Sequence, residues 1–200
     1  MNSQRLDELR RMPRCGDSTA TSEANDFVDG LIDMVEYAKP RSVLEIGSDR
    51  GVSTEVFLLY CERVVAVDPW EQAPERGEIF QKNCGAYPNL MVVRGYSPDA
   101  LSTLASESFD LVYIDADHVY NTVVSDVRAS WPLVRSGGWI SDHDYWPGHE
   151  DDVIAATHAL FGVENIKVFA DGSWLARRPD IIPDAPPAAG GEPWIIPRMT

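Results

Sequence analysis

The chain has 200 residues, of which 44% are hydrophobic, and it is long enough to bury the core of one compact domain. Its 32 acidic and 17 basic residues give a formal net charge of -15, which would repel both the phosphates of nucleic acids and the anionic face of a membrane. Because no stretch approaches the roughly 18 uncharged apolar residues of a membrane span, and no secretory signal is recognisable, we expect a cytoplasmic protein that binds neither nucleic acid nor membranes.

The N-terminal region is predicted to contribute one helix to the domain. Residues 1–24 are predicted to form a loose arm, and residues 25–180 the domain itself. Within residues 24–38, apolar side chains such as Phe27 and Leu31 recur at helical spacing. This pattern predicts a helix that covers one face of the core.

Seven short β-rich runs follow, and most of them are separated by amphipathic helical patterns. The clearest helical pattern covers residues 118–134, where Val119, Val123, Val127 and Trp131 share one face. Alternation of strand and helix predicts an α/β fold with a doubly wound, Rossmann-like, mostly parallel sheet and helices on both faces. Only the turn "ADGS" separates the last two strands, so they should pair in an antiparallel manner. The predicted strands are 42–46, 64–68, 90–93, 110–115, 137–142, 166–170 and 173–178.

Two glycines follow the first predicted strand in the stretch "VLEIGSDRGVST". Gly47 and Gly51 would let the chain turn sharply and approach a ligand, and the next helix offers free backbone N–H groups. The dinucleotide fingerprint GxGxxG is not satisfied, and Glu45 and Asp49 would repel a pyrophosphate but suit a positively charged ligand. The second strand ends at Asp68, where a carboxylate can accept hydrogen bonds from both ribose hydroxyls. These features together predict a nucleoside ligand with a cationic end.

Polar side chains follow the fourth and fifth predicted strands. Asp115, Asp117 and His118 follow the fourth strand in "DLVYIDADHVY", and residues 141–145, "SDHDY", follow the fifth. Adjacent parallel strands end at the same rim, about 4.8 Å apart, so the two groups should face one crevice. Carboxylates and imidazoles gathered there would repel one another or stay protonated unless a cation lay between them. A hard divalent ion such as magnesium suits oxygen ligands of this kind.

The C-terminal residues 181–200 are predicted to form an extended tail. They hold five prolines and two glycines, a composition that does not build a packed core. Their Ile-Ile pairs and Trp194 are nevertheless more apolar than a linker needs. This excess favours packing on the domain or on a second copy of the chain, so we keep a homodimer as one expectation.

The motifs resemble those of the class I S-adenosylmethionine-dependent methyltransferases. The resemblance is carried by "VLEIGSDRGVST" as the cofactor loop, "VVAVDPW" as the ribose acid, "VVRGYSPDAL" as the adenine-side motif, and "FDLVYIDADH" with "LVRSGGWISDHDY" as the fourth and fifth strands. Among subgroups the chain is most similar to small metal-dependent O-methyltransferases, of the catechol type and of the bacterial type that acts on antibiotic sugars. This implies a methyltransferase sheet with a final antiparallel strand, and methyl transfer from S-adenosylmethionine to a small-molecule hydroxyl.

The resemblance also implies which residues hold the cofactor. Its methionine part would contact the loop after the first strand, with Glu45 supporting that loop, and Asp68 would bind the ribose. Trp70 and the segment 95–97 would surround the adenine. Two of these residues also have a purely structural explanation. Gly51 could serve only the close packing of a helix, and Trp70 could simply lie in the core or on the surface. The implied cofactor residues are Glu45, Gly47, Ser48, Gly51, Ser53, Asp68, Trp70, Gly95, Tyr96, Ser97 and Asp115.

In the metal-dependent relatives one ligand stands at the position of Asp115 and two more follow the next strand. Matching the downstream Pro-Gly pair selects Asp142 and His143, whereas matching the "DDY" form of the sugar O-methyltransferases selects His143 and Asp144. We prefer the second alignment because Tyr145 then also matches. The predicted metal set is therefore Asp115, His143 and Asp144, and a histidine ligand would admit manganese, iron or zinc as well as magnesium.

Methyl transfer to a hydroxyl also requires a group that takes the proton. The catechol-type relatives carry a lysine three residues beyond the first metal aspartate, and this position is His118 here. None of the three lysines of the chain is near it in sequence. His118 is therefore predicted as the base, with a solvent-facing place at the start of the next helix as its structural alternative, and Asp115 is the second predicted catalytic residue. Asp117 would either orient His118 or cap the following helix.

Other functions stay open beside this one. A metal-independent methyltransferase and a non-catalytic protein that binds S-adenosylmethionine would share the same fold, and "SDHDY" has a helix-capping loop as its structural alternative. A nicotinamide-dependent reductase is disfavoured because no tyrosine is followed by a lysine four residues on and GxGxxG is absent. A metal-assisted hydrolase is disfavoured because it would not need the glycine turn together with Asp68.

Overall fold

The computed structural model describes residues 3–10, 23–146 and 151–182 of the chain. Seven strands form one sheet in the order β3-β2-β1-β4-β5-β7-β6. The first five strands pair in parallel, and β7 is antiparallel to both β5 and β6. The predicted α/β class, the mostly parallel sheet and the final antiparallel strand are therefore confirmed. The strands are β1 Ser42–Ile46, β2 Arg63–Asp68, β3 Leu90–Arg94, β4 Phe109–Ile114, β5 Val134–Asp142, β6 Ile166–Val168 and β7 Trp174–Arg177.

Six α-helices within the described ranges cover the sheet. Alternate residues of a strand point to opposite faces, and in β1 Val43 belongs to one apolar cluster while Leu44 and Ile46 belong to the other. Helices α1 to α4 contribute to the first cluster, and α5 and α6 to the second. The helices are α1 Ser3–Leu9, α2 Glu23–Ala38, α3 Val52–Tyr60, α4 Pro74–Cys84, α5 Tyr120–Ser130 and α6 Asp151–Phe161.

The N-terminal segment differs from its prediction where the structure describes it. Residues 3–9 form helix α1 instead of part of a loose arm. Both Leu6 and Leu9 are buried in the apolar cluster that also contains residues of α2. Arg5 donates two hydrogen bonds to the carboxylate of Glu55 in α3. The prediction failed because one short amphipathic helix gains its stability from these distant contacts and not from its own sequence.

Two predicted elements also start two or more residues from the predicted position, and β6 ends at Val168 instead of residue 170. Helix α5 begins at Tyr120 instead of residue 118, and Val119 is exposed instead of belonging to the apolar face. Strand β5 begins at Val134, three residues before the predicted start, because an irregularity in its pairing with β4 accommodates the Gly137 turn. Neither altered start changes which residues reach the end of a strand.

The parallel strands end level with one another at one rim of the sheet. Ile46 of β1 pairs with Val67 of β2 and with Ile114 of β4, and Ile114 pairs with Asp142 of β5. The strand order reverses between β1 and β4, since the chain runs outward to β3 on one side and continues from β4 on the other. Ligands of open α/β sheets bind at this kind of crevice, outside the carboxyl ends of the strands.

Some predictions lie outside the described residues or are only partly covered by them. The tail beyond residue 182 and the Pro147–Gly148 pair lie outside, as does His149. None of the helices within the described ranges combines the length and the apolar composition that a membrane span needs.

Candidate active site

A cavity of about 820 Å³ opens at the carboxyl ends of β1, β2, β4 and β5. Its size lies within the range of small-molecule and cofactor pockets. Glu45 and Gly51 lie behind its wall, as described below. The predicted residues that line the cavity are Gly47, Ser48, Ser53, Asp68, Trp70, Gly95, Tyr96, Ser97, Asp115, His118, His143 and Asp144.

The glycine turn after β1 lies against the residue that follows β4. Gly47 has φ of 89°, in the left-handed region, and a Cβ atom added there would lie 2.0 Å from the carbonyl oxygen of Asp115. The Asp115 amide donates to the carbonyl of Ile46 at 2.8 Å, so the two strand ends are tied together. Only glycine therefore fits at position 47. Gly51, also with positive φ, faces the thiol of Cys84 in α4, which is the packing role considered for it.

Glu45 stabilises the turn from below instead of facing the cavity. Its side chain is fully buried on β1, and its carboxylate accepts hydrogen bonds from Ser48 at 2.8 Å, from Ser53 at 2.5 Å and from Thr54. Burial raises the pKa of Glu45 to about 7, against the opposing effect of the three hydroxyls. The predicted supporting role agrees with this position, whereas direct contact with a ligand does not.

Asp68 fixes the backbone around the cavity. One of its carboxylate oxygens accepts from the Asp49 amide at 3.0 Å, and the other accepts from the Trp70 amide at 2.8 Å. Each carboxylate oxygen has two lone pairs, so both can still accept from a ligand hydroxyl. The Trp70 indole donates to the Asp49 carbonyl and packs against Phe80, so this side chain is buried and lines the cavity at the same time.

The segment after β3 brings in a carboxyl group that the sequence pattern did not predict. Gly95 donates its amide to the Asp68 carbonyl, and the hydroxyl of Ser97 donates to Asp126 of α5. Asp126 is not part of the apolar face predicted for this helix, yet it is 3% exposed and lines the cavity. Burial raises the pKa of Asp126 to about 6. Helical periodicity could not reveal this role, because a cavity next to the helix buries polar residues as well as apolar ones.

Three side chains with metal-binding chemistry meet at the ends of β4 and β5. Among the described residues, Asp115, His118 and Asp144 offer ligand atoms that lie within 4.8 Å of one another. Nε2 of His118 is 3.0 Å from Asp144 and 3.9 Å from Asp115. The carboxylates of Asp115 and Asp144 raise the pKa of His118 to about 11. At neutral pH the imidazole is therefore protonated and must release this proton before it could act as a base.

His143 is not brought into this group, unlike the metal set predicted from the sequence. Its ring is buried, with Nδ1 2.9 Å from an oxygen of Asp144 and Nε2 directed towards Asp171. The His143 ring is enclosed in the interior by edge-to-face packing against Phe27, whereas Asp144 stands in the cluster. Asp142 is also buried, and burial raises its pKa well above the usual value. It does not line the cavity.

Asp117 caps the start of the helix that follows. Its carboxylate accepts from the Val119 amide and from the Thr122 hydroxyl, both at 3.2 Å. This is the second of the two roles predicted for it. The cavity thus has a cofactor-like side around the glycine turn and an acidic side that includes the His118 imidazole, and the two sides meet at Asp115.

Comparison with known proteins places this arrangement in a family. A family model described as "Methyltransferase domain" matches residues 44–145 of the 200. A catechol O-methyltransferase from Mycobacterium tuberculosis is 31% identical over 133 residues, which cover 60% of this chain and 58% of that protein. An O-methyltransferase from Aspergillus hancockii, hkm8, is 34% identical over 90 residues, 43% of this chain and 35% of that one. The chain spans about half the length of the curated relatives it matches.

A solved structure agrees with the fold. An O-methyltransferase from Bacillus cereus, in complex with SAH, superposes with a TM-score of 0.60 over 88% of each chain at 18% identity. At this identity the likeness extends to the fold alone. The family match covers the cofactor loop, the ribose acid and the ends of the fourth and fifth strands. The chain therefore belongs to the methyltransferase-domain family, and the resemblance to the class I S-adenosylmethionine-dependent methyltransferases drawn from its sequence motifs is confirmed.

Proposed function

We propose that the protein transfers a methyl group from S-adenosylmethionine to a hydroxyl group of a small molecule. One observation carries this proposal: a single cavity contains both the glycine turn with Asp68 and the cluster of Asp115, His118 and Asp144. A methyl donor held at the turn would have its reactive end close to ionisable groups. Relatives named as O-methyltransferases support transfer to oxygen.

The residues around the turn fit the proposed methyl donor. At position 47 the cavity wall is backbone without a side chain, because Gly47 lies tightly against the carbonyl of Asp115. Asp68 and Asp126 offer carboxylate oxygens that can accept from hydroxyl or amino groups. Carboxylates near the turn would repel a pyrophosphate but attract a sulfonium.

The chemistry requires activation of the acceptor. Its hydroxyl oxygen attacks the sulfonium methyl, the new C–O bond forms as the S–C bond breaks, and the hydroxyl proton leaves. His118 lies where it could take this proton once it is neutral, and Asp115 and Asp144 hold its ring in place. His118→Gln should then lower kcat by at least about 100-fold with little change in cofactor affinity. Unchanged turnover would remove His118 as the base.

A more specific part of the proposal is that a divalent cation binds at this cluster. Asp115 and Asp144, with His118, form a donor set of two carboxylates and one imidazole that suits magnesium or manganese. A bound cation would supply acidity, because it lowers the pKa of a coordinated hydroxyl. Activity that is lost in EDTA and restored by Mg²⁺ or Mn²⁺ would support this part, and activity unchanged in EDTA would remove it.

A metal-independent methyltransferase is the second candidate function, and one observation favours it. The imidazolium of His118 already compensates the charge of Asp144 at 3.0 Å, so the cluster is held together by its own groups.

The proposed acceptors are phenols and sugars. Assay of methyl transfer to a panel of catechols and sugar hydroxyls would distinguish them.

Binding of the methyl donor is the first test. Calorimetry should show that both S-adenosylmethionine and its demethylated product S-adenosylhomocysteine bind the wild-type protein. Asp68→Ala should raise Kd for the product about tenfold or more, since hydrogen bonds to a charged group are lost. Asp33→Ala, an exposed position on α2, is the control and should not change Kd. No binding by the wild-type protein would refute the proposed function. Binding without transfer to any acceptor would indicate a non-catalytic binding protein.

A further inference from the structure

His143 connects the cluster at the ends of β4 and β5 with the turn between β6 and β7. The residue follows β5 directly and is 5% exposed. Its Nδ1 lies 2.9 Å from Oδ1 of Asp144, and its Nε2 lies 4.0 Å from Oδ2 of Asp171. The two ring nitrogens therefore face two different carboxylates, one at the cavity and one in the core.

The contact with Asp144 leaves a defined hydrogen on the ring. An ionised carboxylate can only accept hydrogen bonds, so Nδ1 of His143 is the donor. The other oxygen of Asp144 lies 3.0 Å from Nε2 of His118. Asp144 has a left-handed backbone, which a residue other than glycine rarely adopts, so its carboxylate needs contacts to hold it at the cavity. The two imidazoles supply one contact to each oxygen.

The His143 ring is itself held in place by residues distant in sequence. The ring of Phe27 from α2 packs against it edge to face, with centroids 5.1 Å apart and planes at 89°. Asp171 is fixed by the amide of Ser173 at 3.1 Å and its hydroxyl at 2.6 Å. Gly30 lets α2 pass over Asp171, since a Cβ atom there would lie 2.3 Å from the carboxylate.

The orientation of the ring argues against direct ligation. Within the described residues, Nε2 of His143 has no hydrogen-bond partner and lies 4.0 Å from an oxygen of Asp171, and His143 is not among the residues whose ligand atoms cluster within 4.8 Å of one another. Nδ1 is occupied by Asp144. Neither nitrogen therefore offers a lone pair to the cavity in this arrangement.

We propose that His143 is a positioning residue, which fixes the carboxylate of Asp144 through Nδ1–H while Phe27 and Asp171 fix its ring. This assignment rests on the proposed methyltransferase function for its consequence in turnover, and it departs from the metal-ligand role predicted from the sequence. Residues that orient a functional carboxylate in this way typically contribute about 10- to 100-fold to activity or metal affinity.

Three substitutions separate positioning from other roles. His143→Asn places an amide N–H near the position of Nδ1, His143→Gln places it near Nε2, and His143→Leu keeps the apolar contact with Phe27 but has no donor. The Gln and Leu variants should lose about 10- to 100-fold in kcat with the best phenol or sugar acceptor. The Asn variant should recover most of this loss. KM for S-adenosylmethionine and calorimetric Kd for S-adenosylhomocysteine should stay close to wild type in all three.

A measurement on the protein itself makes the test independent of activity. The chain has four histidines, so ¹⁵N-histidine NMR signals can be assigned by single substitution. A slowly exchanging Nδ1–H of His143 is expected, which Asp144→Ala should expose to exchange and the control Asp33→Ala should not. Addition of Mg²⁺ should leave this N–H in place.

Several results would overturn the proposal. These are a His143 Nδ1 that carries no hydrogen, a ring nitrogen that loses its hydrogen to Mg²⁺, equal impairment of the Asn and Leu variants, or full turnover in the Leu variant. Failure of wild-type protein to bind S-adenosylhomocysteine would instead refute the methyltransferase function, and the NMR result would still decide the position of the ring.

Discussion

Buried carboxyl groups are the distinguishing residues of this protein. Glu45, Asp126, Asp142 and Asp171 are each at most 3% exposed, and burial raises the pKa of every one of them. Moving a carboxyl group out of water opposes its ionisation, so a domain tolerates such groups only where hydrogen bonds or a function compensate. All four lie within or directly behind the walls of the cavity or beside His143. Their concentration there is the residue-level signature of a functional site.

Asp126 allows the free-energy cost of ionising a buried carboxyl group to be measured. With a pKa raised from 3.8 to about 6, the folded state binds the proton of Asp126 more tightly than the unfolded state does. Its stabilising effect is complete below pH 4 and is lost as the pH rises through 6. The substitution Asp126→Asn removes the ionisation that causes this loss of stability. The amide oxygen of asparagine can still accept the hydrogen bond from Ser97. At pH 7 the variant should therefore be more stable than wild type, by up to about 3 kcal/mol.

Urea denaturation at pH 4 and pH 7 checks this expectation. Most of the advantage of Asp126→Asn should disappear at the lower pH, where the wild-type carboxyl is protonated in the folded state and partly protonated in the unfolded state. Asp99→Asn, at an exposed position, is the control and should show no such pH dependence. An Asn variant less stable than wild type at pH 7 would contradict the burial argument.

At the scale of the elements, the turn between β1 and α3 is defined by contact with β4 more than by its own flexibility. Both Gly47 and Gly137 have positive φ, but only Gly47 has backbone within contact distance of an added Cβ atom, whereas Gly137 has nothing within 4 Å. Gly137→Ala should therefore cost only the strain of the left-handed backbone, about 1–2 kcal/mol.

Gly47→Ala should cost more, because the Asp115 carbonyl must move as well. We expect a larger fall in the free energy of unfolding than for Gly137→Ala, together with loss of S-adenosylhomocysteine binding. Urea denaturation and calorimetry on both variants measure the two effects. Equal stability of the two variants would show that the turn and β4 can separate without penalty.

Helix α1 is joined to the domain by an ion pair that is partly buried. Arg5 donates two hydrogen bonds of 2.6 Å to Glu55, whose side chain is 2% exposed, and Glu55 also accepts from Tyr87. Arg5→Ala would leave this carboxylate without its cation, and we expect a loss of about 3 kcal/mol in the free energy of unfolding.

An exposed pair in the same chain is the control. Arg41 and Glu62 form a similar two-pronged contact with 77% and 65% of their side chains exposed, and Arg41→Ala should have little effect. Thermal and urea denaturation of the two alanine variants compare the pairs directly. If Arg5→Ala were as mild as Arg41→Ala, α1 would have to be detached in solution.

At the scale of the whole molecule, the net charge of -15 acts against the compact state. The Debye length falls from about 30 Å to about 8 Å between 0.01 M and 0.15 M salt, so added salt screens repulsion between distant carboxylates before it weakens close ion pairs. We therefore expect Tm to rise with NaCl over this range at pH 7.5. The rise should shrink at a pH closer to the isoelectric point of about 4.5. A fall in Tm with salt would mean that ion pairs outweigh the net repulsion.

The fold followed from the sequence to within a few residues because its signals are local. Strands such as residues 42–46 and 64–68 are short apolar runs bounded by turn residues, and parallel connections force their ends to one rim. The same rule brought Asp115 and the "SDHDY" segment together correctly. Helix α1 was missed, since its burial depends on α2 and α3.

The sequence by itself determined the sheet, the glycine turn, and which acidic and histidine side chains lie at the carboxyl ends of the strands. Strand periodicity and chain connectivity fix where each strand ends. Only the tertiary structure decided how those groups pair. His143 packs inward against Phe27, and Nε2 of His118 lies 3.0 Å from Asp144. Asp126 and Asp171 enter the site from distant elements. Side-chain direction and long-range packing set these contacts, and neither is encoded in spacing along the chain.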